Sequence, residues 1–258
     1  MPNDPTDERH RGSSPLDAPK TVADKPAPLK RFYKTVGVRA DDPGFGIVLD
    51  TRTLKTPAKR ALILPSEPLA EAIAAEWDSQ DPHIIPETMP LMGIATRGID
   101  WIVDHREKII DEIADYAETD LLCYRASAPQ ALVARQAEQW QPLIDWAALT
   151  LDAPLQTTQS VLAVEQSPAA LNALRAQFAE MDDLRLSAFQ TLTTVSGSLI
   201  LAIAVLRDRI QAEEAWRLSV LDELFQIERW GDDAEASAVR DGAKQEILAA
   251  ARFLSLLG

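Results

Sequence analysis

From about residue 91 the hydrophobic period of the chain becomes helical and stays so, and that change sets the fold class. Residues 31–65 contain short β-rich runs: residues 32–38, residues 45–50, a third reaching Thr56, and residues 61–64. Turn residues such as Asp41-Asp42-Pro43-Gly44 punctuate them, which predicts a small antiparallel sheet built from consecutive hairpins. Ser66 reads as a helix N-cap with Pro68 in the first turn, and Leu69, Ile73 and Trp77 repeat every four residues on one face. Three prolines between Asp81 and Pro90 predict extended chain. From about residue 91 the period is helical throughout. Stripes run through Ile109, Ile113, Tyr116, Ala117, Leu121 and Tyr124, and through Val133, Ala137, Trp140, Ile144 and Leu151, where Pro142 should kink or split the helix. Ser167-Pro168 opens a helix carrying Leu171, Leu174 and Phe178. The stretch from Leu184 to Ile210 reads as one buried central helix. Trp216, Val220, Leu224 and Ile227 mark the next, and Ala236 to Leu257 the last.

The expected fold is therefore α+β: a β-rich N-terminal domain with one helix over residues 31–90, then a larger all-helical domain over residues 91–258. Residues 1–30 hold six prolines and almost no large apolar side chain. Such a segment cannot bury enough surface to offset chain entropy, so a disordered tail is expected.

Charge narrows the partners. The net charge of the 258-residue chain is −14, which repels nucleic acid and anionic lipid and favours basic partners. It is unevenly spread: residues 1–60 carry net +4 and residues 61–258 net −18. No run approaches the roughly 20 apolar residues of a spanning helix, and no secretory h-region opens the chain, so a bacterial cytoplasmic protein without membrane insertion is expected. Cys123 is the single cysteine, which excludes an internal disulfide.

Motifs for catalysis are missing. There is no G-x-G-x-x-G, P-loop, H-E-x-x-H or G-x-S-x-G. Glu112, Asp115 and Glu118 could converge with Asp222 and Glu223 on two metals, but carboxylate-bridged bundles also supply Glu-x-x-His, which this chain lacks. A solvated acidic face is the expectation, with no metal and no cofactor. Cys123 lacks an adjacent base and reads as a small buried hydrophobe. Of the six tryptophans, Trp101, Trp140, Trp146 and Trp216 read as core. Trp77 and Trp230 leave two readings open. Each lies at a helix end among acids, Glu76 and Asp78 in one case, Glu228, Asp232, Asp233 and Glu235 in the other. Core packing and a protein–protein contact both fit that setting.

Read from residue 31 onward, the chain resembles a known family. The segments that carry the likeness are residues 31–34, 49–57, 76–80, 88–91 and 119–126, then Arg135-Gln136, Trp140, Pro142, Asp145-Trp146 and Gly197-Ser198. Asp222-Glu223, Gln226, Glu228 and Trp230-Gly231 complete the pattern. Together they resemble the F1-ATPase assembly chaperones of mitochondria and α-proteobacteria that bind the α subunit. Two positions depart from it: Thr51 stands where glycine is common, and Met92 where threonine is usual.

The resemblance implies a non-enzymatic holdase for the free α subunit, shielding its subunit interface until the β subunit displaces it by mass action. It implies partner-binding roles for Asp222, Glu223, Glu228 and Trp230. The acid-rimmed aromatics add Trp77, Asp78, Asp233 and Glu235. For Glu223 a structural role, pairing with Arg217 or Arg229, stands equally open. A monomer is expected, because self-association through an apolar patch would occlude a client surface. The competing reading is an enzyme, or a protein binding a small ligand or cation on its acidic helical face; a concave cleft of converging titratable groups would mark it. A subunit of a stable complex is a third.

Overall fold

A computed structural model describes residues 29–258. The tail expected over residues 1–30 lies outside these residues except at its end, where Leu29–Lys30 form a two-residue strand, β1. Two longer strands follow, β2 (Val36–Asp41) and β3 (Gly44–Leu49), joined by the two-residue turn Asp42-Pro43. β4 (Arg52–Thr53) completes a second hairpin on β3. β5 (Ile63–Leu64) returns not to β4 but to the start of β3, pairing Leu64 with Phe45 and Ile63 with Gly46. Glycine is required at Gly44 for this return: a Cβ there would stand 2.2 Å from the Leu64 carbonyl oxygen. The sheet is antiparallel throughout, as the turn pattern indicates.

α1 (Glu67–Asp78) opens on Ser66, whose Oγ accepts from the Leu69 N–H, and it lies against β2 and β3. The proline-rich stretch after it is not simply extended. It contains β6 (His83–Ile84), which pairs with β1, and a 3-10 turn at Pro86–Thr88. Gln80 organises this passage: its side chain accepts from the Ile85 N–H at 2.8 Å and donates to Thr88 Oγ1 at 3.0 Å.

The helical part begins with α2 (Pro90–Arg97), a π turn at Gly98–Ile102, and α3 (Val103–Asp115). α3 stops short of the apolar stripe read through Tyr124. Leu121–Cys123 form a separate 3-10 turn, because Asp120 caps it by accepting from the Leu122 N–H. α4 (Gln130–Thr150) is continuous across Pro142. The carbonyl that Pro142 leaves without an N–H belongs to Glu138, which is exposed and can be met by solvent. The buried stripe of α4 is Leu132, Gln136, Trp140, Leu143, Ile144 and Ala147; Trp140 and Ile144 are buried as expected, whereas Leu132 and Gln136 take the places read at Val133 and Ala137, because the stripe includes a glutamine.

After α5 (Pro168–Arg175) the long apolar stretch divides into α6 (Asp183–Ser196) and α7 (Leu199–Leu206). Gly197 ends α6 at φ +68°, and Ser198 begins α7 by accepting from the Leu201 N–H. Stop and start signals prevail over continuous apolarity here. The next stripe also divides, into α8 (Ala212–Ser219) and α9 (Leu221–Trp230). At this break the Leu218 carbonyl accepts from Trp140 Nε1 at 3.0 Å instead of from the following helical turn. α10 (Ala234–Leu257) closes the chain as expected. α6 packs against α10, α2 and α3, and Phe178 stacks on Phe189 with ring centres 5.2 Å apart. A single cluster of buried side chains extends from Tyr33 in the β region to Leu257.

Candidate functional site

The residues singled out in the sequence fall in two places. The first is the C-terminal end of α1. Trp77 is half-buried, its ring edge-on to Tyr33 at 5.8 Å, and Tyr33 donates its hydroxyl to the Trp77 carbonyl at 2.6 Å. Asp78 accepts from Arg31 at 3.0 Å, and the same guanidinium donates to the Gln80 carbonyl and lies over the Tyr33 ring at 4.6 Å. This corner joins the chain entering the sheet to the end of the helix covering it. Both Trp77 and Asp78 therefore have structural work to do. Glu76 beside them does more of it: its two carboxylate oxygens accept from the Leu91 and Met92 N–H groups at 2.8 Å each, capping α2 from another helix. Burial pushes its carboxyl pKa up, against these bonds.

The second place is α9 and the start of α10. Glu228 meets Arg135 of α4 through two bonds of 2.7 and 2.8 Å, a bidentate pair that lowers the Glu228 pKa. Asp222 accepts from Gln136 Nε2 at 2.7 Å; Gln136 in turn accepts from the Ala126 N–H. Glu223 pairs neither with Arg217 nor with Arg229. Its partner is Arg240 of α10, at 3.8 Å, whose guanidinium is bonded also to Asp232. Arg229 instead lies over the Phe225 ring at 4.1 Å. Asp233 is the N-cap of α10, accepting from the N–H groups of Glu235 and Ala236 at 3.0 Å. Trp230 stands 76% exposed at the end of α9, next to Gly231, and Glu235 is exposed beyond it.

The α9–α10 turn thus presents an exposed indole with carboxylates before and after it along the chain, on a frame of ion pairs and a hydrogen bond. Arg135, Gln136 and Arg240 build that frame, and they were not among the site residues expected from sequence. Arg240 is buried, and its spacing from Ala236, Ala243 and Ile247 is the signal that was available: an arginine on the apolar stripe of a helix. The two places share no hydrogen bond or ion pair among the described residues.

Other expectations resolve individually. Trp140 is buried, whereas Trp101 is 49% exposed and stacks on His105 at 3.9 Å, so its core assignment is corrected. A π turn places it there, turning the side chain away from the stripe of α2 and α3. Cys123 is buried, and desolvation pushes its thiol up to about 12, leaving it protonated at neutral pH. Among the described residues no three His, Cys, Asp or Glu side chains gather as a metal site, and no helix is long and apolar enough to cross a membrane. The cleft beside Glu228, about 290 Å³, is lined by Arg135, Gln139, Arg217, Leu221, Leu224 and Glu228.

Comparison with known proteins agrees with this architecture. The family model described as ATP12 chaperone protein matches residues 30–148. Mitochondrial protein atp12 of Schizosaccharomyces pombe is 24% identical over 257 residues, covering 95% of this chain and 86% of its own. The crystal structure of Atp12 from Paracoccus denitrificans superposes with a TM-score of 0.84 at 45% identity, over 89% of this chain and 99% of that one. A protein of Agrobacterium tumefaciens superposes with a TM-score of 0.85 at 38% identity, over 89% and 86%.

Proposed function

We propose, from the premise that the chain belongs to the ATP12 chaperone family, that this ATP synthase assembly chaperone acts by holding the free F1 α subunit. It covers the α surface that the β subunit will bury, and β displaces it by mass action without catalysis. It works as a monomer in the bacterial cytoplasm.

The observation that carries the reading is the α9–α10 turn. An exposed tryptophan set in sequence among acids, with Glu228 held by Arg135 and Glu223 and Asp232 by Arg240, is suited to a protein contact: the indole provides apolar area, the acids select a basic surface. Glu223, Glu228, Trp230 and Glu235 are the residues assigned to the client. Asp222 and Asp233 support them from within the fold, whereas Trp77 and Asp78 serve the join between α1 and the chain entering the sheet.

The test is co-purification with separately expressed F1 α and β subunits. The expected result is capture of α, no capture of β alone, and release of α when β is added. Capture of neither by the folded chain would refute the proposal.

A further inference from the structure

The connection from α4 to α5 carries an apolar tip. Residues 154–164 hold no charged side chain, and the nearest charges along the chain are Asp152 and Glu165. Val161 is 99% exposed and Leu162 74%; Ala163 beside them is exposed and Val164 half-buried. Turn positions favour small polar residues, and consecutive exposed apolar residues work against solubility unless they serve a contact.

The loop is built to hold this tip out. Gln166, itself buried, ties its two sides together: the amide oxygen accepts from the Gln156 N–H at 2.8 Å and the amide nitrogen donates to the Gln156 carbonyl at 3.0 Å. Beyond this tie, Thr158 Oγ1 accepts from the Ser160 N–H at 2.9 Å and Ser160 Oγ from the Leu162 N–H at 3.0 Å. The base is joined to the frame under α9. The Thr158 N–H donates to the Cys123 carbonyl at 2.8 Å, and the Thr158 carbonyl accepts from the Arg125 N–H at 2.7 Å. The Arg125 guanidinium donates to the Gln136 carbonyl at 2.9 Å, and Gln136 Nε2 donates to Asp222 of α9 at 2.7 Å. Glu223, assigned above to the client, is the next residue. One continuous set of bonds therefore fixes both the loop and α9.

This inference rests on the client reading, in which the covered surface is one that a permanent complex will bury. Such surfaces are more apolar than ordinary contacts, and their centres are poor in charge. The α9–α10 turn, with its acids, suits a basic margin; it provides little uncharged apolar area for such a centre. We infer that the tip at residues 161–164 is the apolar half of the client contact. Val161 and Leu162 enter an apolar depression on the free F1 α subunit, while the acids of the α9–α10 turn meet basic groups on the same subunit.

The test uses the full chain and separately expressed F1 α. The double substitution Val161→Ser and Leu162→Ser changes two solvent-facing side chains, so the melting temperature should not move. Affinity for α should fall at least about tenfold, the effect of losing two buried aliphatic side chains from a contact. That loss should persist at high salt, whereas the loss caused by Glu223→Lys should fade. A second measurement places an environment-sensitive dye on Val161→Cys; Cys123 is buried and protonated, so the label goes to position 161 alone. Its emission should shift to the blue with α and return when β is added. Undiminished capture by the serine variant, or an unshifted dye on a chain that has captured α, overturns the inference and leaves the client reading standing. A blue shift that follows the concentration of the chain alone also overturns it, and would show a second copy on the tip. Failure of the natural chain to capture α refutes the client reading itself, and this inference with it. If the serine variant fails to fold, the dye decides.

Discussion

Asp120 is fully buried between the 3-10 turn at Leu121–Cys123 and the N-terminus of α7, and it offers the sharpest test of how the helical part is held together. Oδ1 accepts from the Leu122 N–H at 3.0 Å and from Ser198 Oγ at 2.8 Å; Oδ2 accepts from the Ile200 N–H at 3.0 Å. Desolvation exceeds these bonds and raises its pKa from the ordinary 3.8 to about 6. The folded state therefore binds the proton more tightly than the unfolded chain. The contribution of this group is most favourable below about pH 4 and declines as pH rises to about 6. The decline is about 3 kcal/mol in all, taking about 1.36 kcal/mol for each tenfold difference in proton affinity. Between pH 7 and pH 5 the natural chain should regain about 1 kcal/mol from Asp120 alone. Asp120→Asn cannot titrate, and it points an amide N–H₂ at the Ile200 N–H, stranding a donor at a cost of about 1–3 kcal/mol. At pH 7 that cost is set against the burden of the buried charge, so the two proteins should lie within about 2 kcal/mol of each other. At pH 5 the natural chain should lead by about 1 kcal/mol more than it does at pH 7. Urea unfolding followed by tryptophan fluorescence at the two pH values measures this difference, and common effects of the other carboxylates cancel. Parallel pH dependences would refute the raised pKa. A natural chain that loses ground to the variant as pH falls would show that the accepted hydrogen bonds outweigh desolvation and that the carboxylate is preferred.

Three further outcomes are expected. Trp77→Arg removes an indole packed edge-on to Tyr33 and places a charge at a half-buried position, costing about 2–3 kcal/mol; an unchanged thermal midpoint would contradict the packing role. Glu223→Lys leaves Arg240 its bond to Asp232, so the fold should lose less than about 1 kcal/mol while capture of F1 α weakens; undiminished capture would remove Glu223 from the client surface. A double-mutant cycle on Arg135 and Glu228 should give a small favourable coupling that fades at high salt. Because the Glu228 pKa is lowered, that coupling should be present at neutral pH and disappear as pH falls through the lowered value; coupling that strengthens in acid would reverse the sign argued here.

The β region and the helical remainder were legible in the sequence because their periods differ, and the caps at Ser66 and Ser167 were legible because a hydroxyl followed by proline has few other uses. What misled was continuous apolarity. Residues 184–210 look like one helix until Gly197 and Ser198 are weighed as a stop and a start, and a six-residue apolar core of α7 gives no periodic cue at all. The break between α8 and α9 had no local signal: it depends on Trp140, a residue far away in sequence, taking the Leu218 carbonyl.

The same distinction explains the site. Several residues that carry the family likeness are spent on the fold itself: Glu76 caps α2, Gln80 orders the turn after α1, Asp120 joins a 3-10 turn to α7, and Gln136 bridges Ala126 to Asp222. Gln80 answers groups within eight residues of it, but Glu76, Asp120 and Gln136 also reach elements distant in sequence, and no short window of sequence shows those partners. Such residues are hard to replace because a substitution strands the donors they serve, whatever the chain binds. Two aromatic side chains within the pattern are largely exposed, Phe32, which lies edge-on to Tyr33 at 5.2 Å, and Trp230. Trp230 is 76% exposed and makes no ring contact among the described residues, and the acids near it in sequence, Glu223, Glu228 and Asp232, pair with cations from α4 and α10. On this reasoning the proposed client surface is the α9–α10 turn, with Asp222 and Asp233 among its supports, whereas Trp77 and Asp78 serve the join between α1 and the sheet.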